Sequence, residues 1–219
     1  MSSLLSQLVS WSQQLPANTS RLKERLDNLL TPPVPAEVLA SPAACLVHVS
    51  DTPAVFYPYL FRLLKKIKPA VLIHTGDLMD QIKLENNAYL SDFYQEQIQR
   101  YLPQLERMPV GTIYLVPGNH DNTAVLTHTC QRSQVLPASS LVQFGSLKIG
   151  VAHEPQHLPA GADFGLYGHC PDQPPAVSGH PLSGLTKINL LLANGTIYSL
   201  PYPHGMDAAR GLKTRPQKL

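Results

Sequence analysis

Three short apolar runs, each closing on a polar residue of the kind that binds metals or phosphate, constrain this chain more than any other feature. They read CLVHVSD at 45–51, PAVLIHTGD at 69–77 and GTIYLVPGNHD at 111–121. Between the first two, Val55, Phe56, Tyr59, Leu60, Leu63, Leu64 and Ile67 recur at helical spacing, which predicts a helix with one buried face. Strand, helix and strand in that order imply parallel pairing. A second helix across roughly 85–102 carries the chain to the third strand. The polar closing residues then share the C-terminal edge of the sheet, where open α/β sheets bind ligands.

The second half has a different grammar. LVQFGSLKIGVAHE alternates around a turn at Gly145-Ser146, and INLLLANGTIYSL reads as a hairpin whose Asn194-Gly195 suits a tight turn. Both are antiparallel features. Residues 154–184, rich in proline and glycine, predict a long irregular segment around one short strand, FGLYG. At the other end, leucines spaced three and four apart over 2–30 predict two amphipathic helices, with a start for the second at Asn18 or Thr19. The proline-rich stretch 31–44 predicts a connector with little helix. The domain plan is thus 1–44 as an N-terminal helical extension and connector, and 45–219 as the catalytic-type domain.

Composition narrows the class. At 43% hydrophobic and 15% charged residues with net charge +2, the 219-residue chain is an ordinary globular protein without the basic surplus of a dedicated nucleic-acid binder. It contains no membrane-length apolar run and no secretory leader pattern. The three cysteines, Cys45, Cys130 and Cys170, show no CxxC spacing, so reduced thiols and a cytoplasmic location are expected.

Metal-assisted phosphoester chemistry needs carboxylate, amide and imidazole ligands converging from separate loops. In order along the chain stand Asp51, Gly76-Asp77, Gly118-Asn119-His120-Asp121, His153 and Gly168-His169. The succession DTP, GDLMD, GNHD, His153 and GH resembles the calcineurin-like metallophosphoesterase family over roughly residues 45–200. That resemblance implies a four-layer α-β-β-α sandwich of two mixed sheets and a centre of one or two divalent ions (Mn, Fe, Zn or Mg). It makes Asp77 the bridging carboxylate and gives Asn119, His153 and His169 to the second metal. It makes His120 the group that contacts phosphate and protonates the leaving oxygen, with Asp121 orienting His120 or capping the next helix.

The first metal position departs from the family. Where the family has Asp-x-His and Gly-His-x-His, this chain has Asp51-Thr52-Pro53 and Gly168-His169-Cys170-Pro171, so only Asp51 and Asp77 serve that position. Three readings are open: a weakly held first ion or a single-metal centre, which leads; replacement by His180, Asp172, Cys170, His48 or His74; or loss of catalysis. His48 and His74 each precede the strand-end aspartate by three residues and are expected to be packed or hydrogen-bonded. The leading functional expectation is a metal-dependent hydrolase of a small phosphate mono- or diester. The alternative is an inactive relative that binds metal or phosphate and acts through partners, for which the N-terminal helices offer a surface for partner or self-association.

Overall fold

The computed structural model describes residues 33–170 and 179–211. The chain divides into two compact units, Met1–Pro33 and Val34–Leu219, and the fold below is that of the second. The two helices expected within 2–30 lie outside the described residues.

Among the described residues ten strands form two sheets. The first, in spatial order β10-β9-β1-β2-β3-β4, is built from β1 (Cys45–Val49), β2 (Val71–His74), β3 (Thr112–Leu115), β4 (Gln134–Val135), β9 (Lys187–Leu192) and β10 (Ile197–Pro201). The second runs β5-β6-β7-β8, from β5 (Ser139–Phe144), β6 (Leu147–Ala152), β7 (Phe164–Tyr167) and β8 (His180–Ser183). Both are mixed. β1 through β4 are parallel, while β9 joins β1 antiparallel. β5 and β6 form the expected hairpin, but β6, β7 and β8 are parallel. The hairpin β9-β10, with Gly195 at φ 87, belongs to the first sheet instead of the second.

Side-chain alternation explains the layering. Leu46, Ile73, Val116 and Leu191 of the first sheet meet Ile149, Val151 and Leu166 of the second. The opposite face of the first sheet, with Val47, Leu72 and Ile113, is covered by α2 (Tyr57–Ile67) through Leu60, Leu63 and Ile67, and by α3 (Ser91–Glu106) through Tyr94, Ile98 and Leu102. Each fully buried leucine here contributes about 1.5–3 kcal/mol. On the outer side of the second sheet, Gly150 faces Pro159 and Ala162, and Gly165 faces Leu158. That side is covered by the chain around the 3-10 turn Pro155–His157.

α2 begins where Pro58 fits a first helical turn and ends where Lys68 enters the left-handed region at φ 53, donating its N–H to Leu64 O, with Pro69 barring continuation. Val55, expected on its buried face, lies in the preceding 3-10 turn and is 72% exposed.

Two local expectations are corrected, and a third is refined. The stretch 31–44 holds a helix, α1 (Ala36–Ala40), and a 3-10 turn Pro42–Ala44; Val38 is buried in the main core, so prolines at 35 and 42 frame helical turns and do not forbid them. The irregular 154–184 segment contains β8. The helix expected after the third polar motif is α4 (Thr123–Thr129), but its cap is Asn122, which accepts from the N–H groups of Ala124 and Val125, and not Asp121. Among the described residues no helix is long and apolar enough to cross a membrane.

Candidate metal centre

Asp51, Asp77 and His169 each sit just past a strand end with positive φ, 52, 57 and 57. Asp and His tolerate this region better than most residues, yet it costs each of them about 1 kcal/mol or more. Three such residues, two from the first sheet and one from the second, mark a place where side-chain direction outweighs backbone ease. Gly76, at φ 102, makes the turn into Asp77, where a Cβ would collide with the His153 ring. Gly168 is needed for space: a Cβ there would strike Ser50 Oγ and the Asp51 carboxylate.

The loops converge as the spacing implied. Asp77 Oδ1 accepts from His120 N at 3.0 Å, and Asp77 Oδ2 lies 3.5 Å from His153 Nε2. His153 Nδ1 donates to Thr75 O at 2.7 Å, which leaves the Nε2 lone pair facing the centre. That lone pair meets Asn119 Oδ1 at 2.9 Å. The amide of Asn119 is oriented by its NH2 group, which donates to Glu85 Oε2. His169 completes the group: its ring lies 5.1 Å from that of His153, and Asp77, His153 and His169 each present a ligand atom within 4.8 Å of the others. Asp51 holds the far side, accepting from His169 N at 3.1 Å.

Asp77 Oδ2, Asn119 Oδ1 and His153 Nε2 therefore point acceptor lone pairs into one small volume, a donor set that suits a borderline divalent cation. Electrostatics point the same way. Burial first, then the neighbouring carboxylates of Asp121, Asp51 and Asp80, push the Asp77 carboxyl up to about 9. A cation there relieves that crowding.

Asp121 is a correction. Its carboxylate accepts from the N–H groups of Asp77 (2.7 Å), Leu78 (3.0 Å) and Gly118 (2.9 Å) and from Tyr94 OH (2.9 Å). All of that capacity is spent on tying the second and third motif loops together, and Asn122 supplies the helix cap, so Asp121 neither orients His120 nor caps α4. Asp80, the last residue of GDLMD, takes the place beside His120: Asp77, Asp80 and His120 also present ligand atoms within 4.8 Å of one another. Asp80 is 1% exposed, and Lys83 Nζ donates to it at 2.5 Å. Its position in the motif was the available signal. His120 is buried, and its pKa is lowered by burial and then by Lys83, against the opposing pull of Asp80 and Glu85.

The proposed substitutes for the missing histidines separate clearly. His48 Nε2 meets Thr75 Oγ1 and its Nδ1 meets Asn189 Nδ2; His74 meets Thr52 Oγ1 and accepts from Gly76 N. Burial pushes both down to about 3, so they are neutral core residues. His180 begins β8 opposite Phe164, at the end of the strand pair away from His169, and packs on the Phe164 ring. It is therefore no replacement ligand. Cys170 follows His169 directly, half-buried, and Asp172 and Pro171 lie outside the described residues.

What stands behind Asp51 is Arg210, its side chain fully buried. Its guanidinium donates to the carbonyls of Asp51 (2.6 Å), Leu185 (2.7 Å) and Ser50 (3.1 Å) and lies 4.3 Å from the centroid of the Tyr202 ring. No sequence signal links position 210 to position 51.

The structure is a two-sheet α/β domain whose two sheets together bring carboxylate, amide and imidazole groups into one candidate site for a divalent cation. The sequence profile of the calcineurin-like phosphoesterases matches residues 46–212, and the chain belongs to that family, whose members typically use two metal ions. No curated protein matches the chain. One crystal structure, 9% identical, aligns with a TM-score of 0.53 over 73% of this chain and 99% of its own, a likeness of fold alone. YfcE, a phosphoesterase from E. coli, is 16% identical over 73% of this chain and 100% of its own, with a TM-score of 0.44. The nuclease MPE of Pseudomonas putida is 19% identical over 71% and 87%, with a TM-score of 0.35.

Proposed function

We propose that this protein is a metal-dependent phosphoesterase acting on a small phosphate ester through a centre that holds one divalent ion firmly. The observation that carries this reading is the convergence of Asp77 Oδ2, Asn119 Oδ1 and His153 Nε2 as acceptors beside buried His120. Asp77, Asn119, His153 and His169 would hold the ion. When bound, it supplies Lewis acidity toward the phosphoryl group and lowers the pKa of water.

The chain's own residues do the rest. Thr75 O fixes the His153 tautomer, and Glu85 fixes the Asn119 amide, so both ligands are aimed before anything binds. Asp77 Oδ1 holds the backbone of His120, which places an imidazole where it can give a proton to a departing alkoxide. Asp80 and Lys83 set the charge around that imidazole. Pro53 and Pro171 take two imidazoles from the first metal position. Each lost stabilising contact costs about 100- to 1000-fold in rate in comparable sites, so slow turnover follows. The same two prolines favour a second reading, a binding protein without turnover.

Mn²⁺-stimulated hydrolysis of an aryl phosphate ester by the full chain decides between them. The enzyme reading predicts turnover that falls about 100-fold or more in His120→Ala. Equal rates for the parent and the variant, or no turnover with any divalent ion, contradict it.

A further inference from the structure

The segment bordering the centre contributes one acidic side chain that neither ligates nor protonates. Glu85 lies in the 3-10 turn Leu84–Asn86, and its side chain is 56% exposed. Its Oε2 accepts from Asn119 Nδ2 at 2.5 Å and lies 3.9 Å from His120 Nδ1. It therefore flanks the two residues between which a phosphoryl group must sit if Asn119 helps hold the ion and His120 faces the leaving oxygen. The nearby described cations are engaged elsewhere: Lys83 on Asp80, and Arg210 on backbone carbonyls behind Asp51.

We infer that Glu85 is a specificity-determining residue whose carboxylate selects singly charged phosphodiesters over doubly charged phosphomonoesters. This rests on the phosphoesterase reading and refines its substrate class. A phosphomonoester carries a charge of about −1.5 to −2 near neutral pH because its second ionisation lies near 6, whereas a diester carries a single charge. The additional charge falls beside a fixed carboxylate, and solvent screening at this half-exposed position limits the discrimination to about tenfold. Glu85→Gln separates this effect from orientation. A glutamine amide oxygen still accepts from Asn119 Nδ2, so the ligand stays aimed while the charge is lost.

The test compares the Mn²⁺-loaded full chain with Glu85→Gln at pH 8. It uses bis-p-nitrophenyl phosphate as the diester, p-nitrophenyl phosphate as the monoester, and inorganic phosphate binding by calorimetry. The parent is expected to have the higher kcat/KM on the diester. In the variant, compared with the parent at saturating Mn²⁺, the diester-to-monoester ratio falls about tenfold and phosphate binds about tenfold more tightly. A parent that prefers the monoester, or a variant with unchanged ratio and unchanged phosphate affinity, overturns the inference. Turnover of neither ester with phosphate still bound more tightly by the variant upholds charge selection and removes the phosphoesterase reading instead.

Discussion

At the scale of single residues, the centre stores electrostatic strain that a cation would release. Asp77 is 1% exposed and stands among the carboxylates of Asp51, Asp80 and Asp121, so its carboxyl is pushed up to about 9. A carboxyl raised in the folded state holds its proton where the unfolded chain has released it. Folding stability of the metal-free protein therefore falls as pH rises from about 4, the unfolded value, through about 9. Asp77→Asn removes the charge while its amide oxygen can still accept from His120 N. The metal-free variant is predicted to melt about 5 °C higher than the parent at pH 8, since each kcal/mol is worth about 2–4 °C in a domain of this size. It should also lose the thermal stabilisation that Mn²⁺ gives the parent. Scanning calorimetry checks both; a variant melting lower than the parent without metal contradicts the strain argument.

At the scale of elements, what lines up the loops is a set of side-chain clamps on backbone groups. Asp121 clamps two motif loops, and Arg210 clamps the loop behind Asp51. Glu106, at the end of α3, accepts from the N–H groups of Gln131, Arg132 and Ser133, while the Arg132 guanidinium returns bonds to Glu106 O, Met108 O and Val110 O. Burial opposes the Glu106 charge, but the bonds from Ser133, Arg132 and Gln131 outweigh it and hold its pKa below the ordinary glutamate value. Its contribution is thus fully present above the unfolded value of about 4.3 and is lost as pH falls through the lower folded value. Glu106→Gln is expected to cost about 1.5–3 kcal/mol at pH 7 in urea denaturation, with the deficit narrowing between pH 5 and pH 3. A deficit independent of pH over that range would show that the charge plays no part.

At the scale of the whole molecule, local patterns were legible and long-range partnerships were not. The strand-end motifs and the α2 face announced the first sheet because polarity and period are written within a few residues. The placement of β9 and β10 beside β1 was not, since the Asn194-Gly195 turn fixes the hairpin and says nothing about which sheet receives it. That Asn119, His153, His169, Asp51 and Asp77 would gather in one place was legible from their order and type. Asp121 was misread because adjacency to His120 in sequence does not make the two side chains meet; Asp80 was passed over although it closes the GDLMD motif, and Arg210 was missed because its meaning comes only from what folding brings beside it. The proposed centre holds one divalent ion on Asp77, Asn119, His153 and His169. Metal content of protein prepared without chelators, joined to anomalous scattering from an Mn²⁺-soaked crystal, tests it most directly. One firmly held ion per chain is expected, within bonding distance of those four side chains. Two equally occupied ions near Asp77, or none, would contradict it.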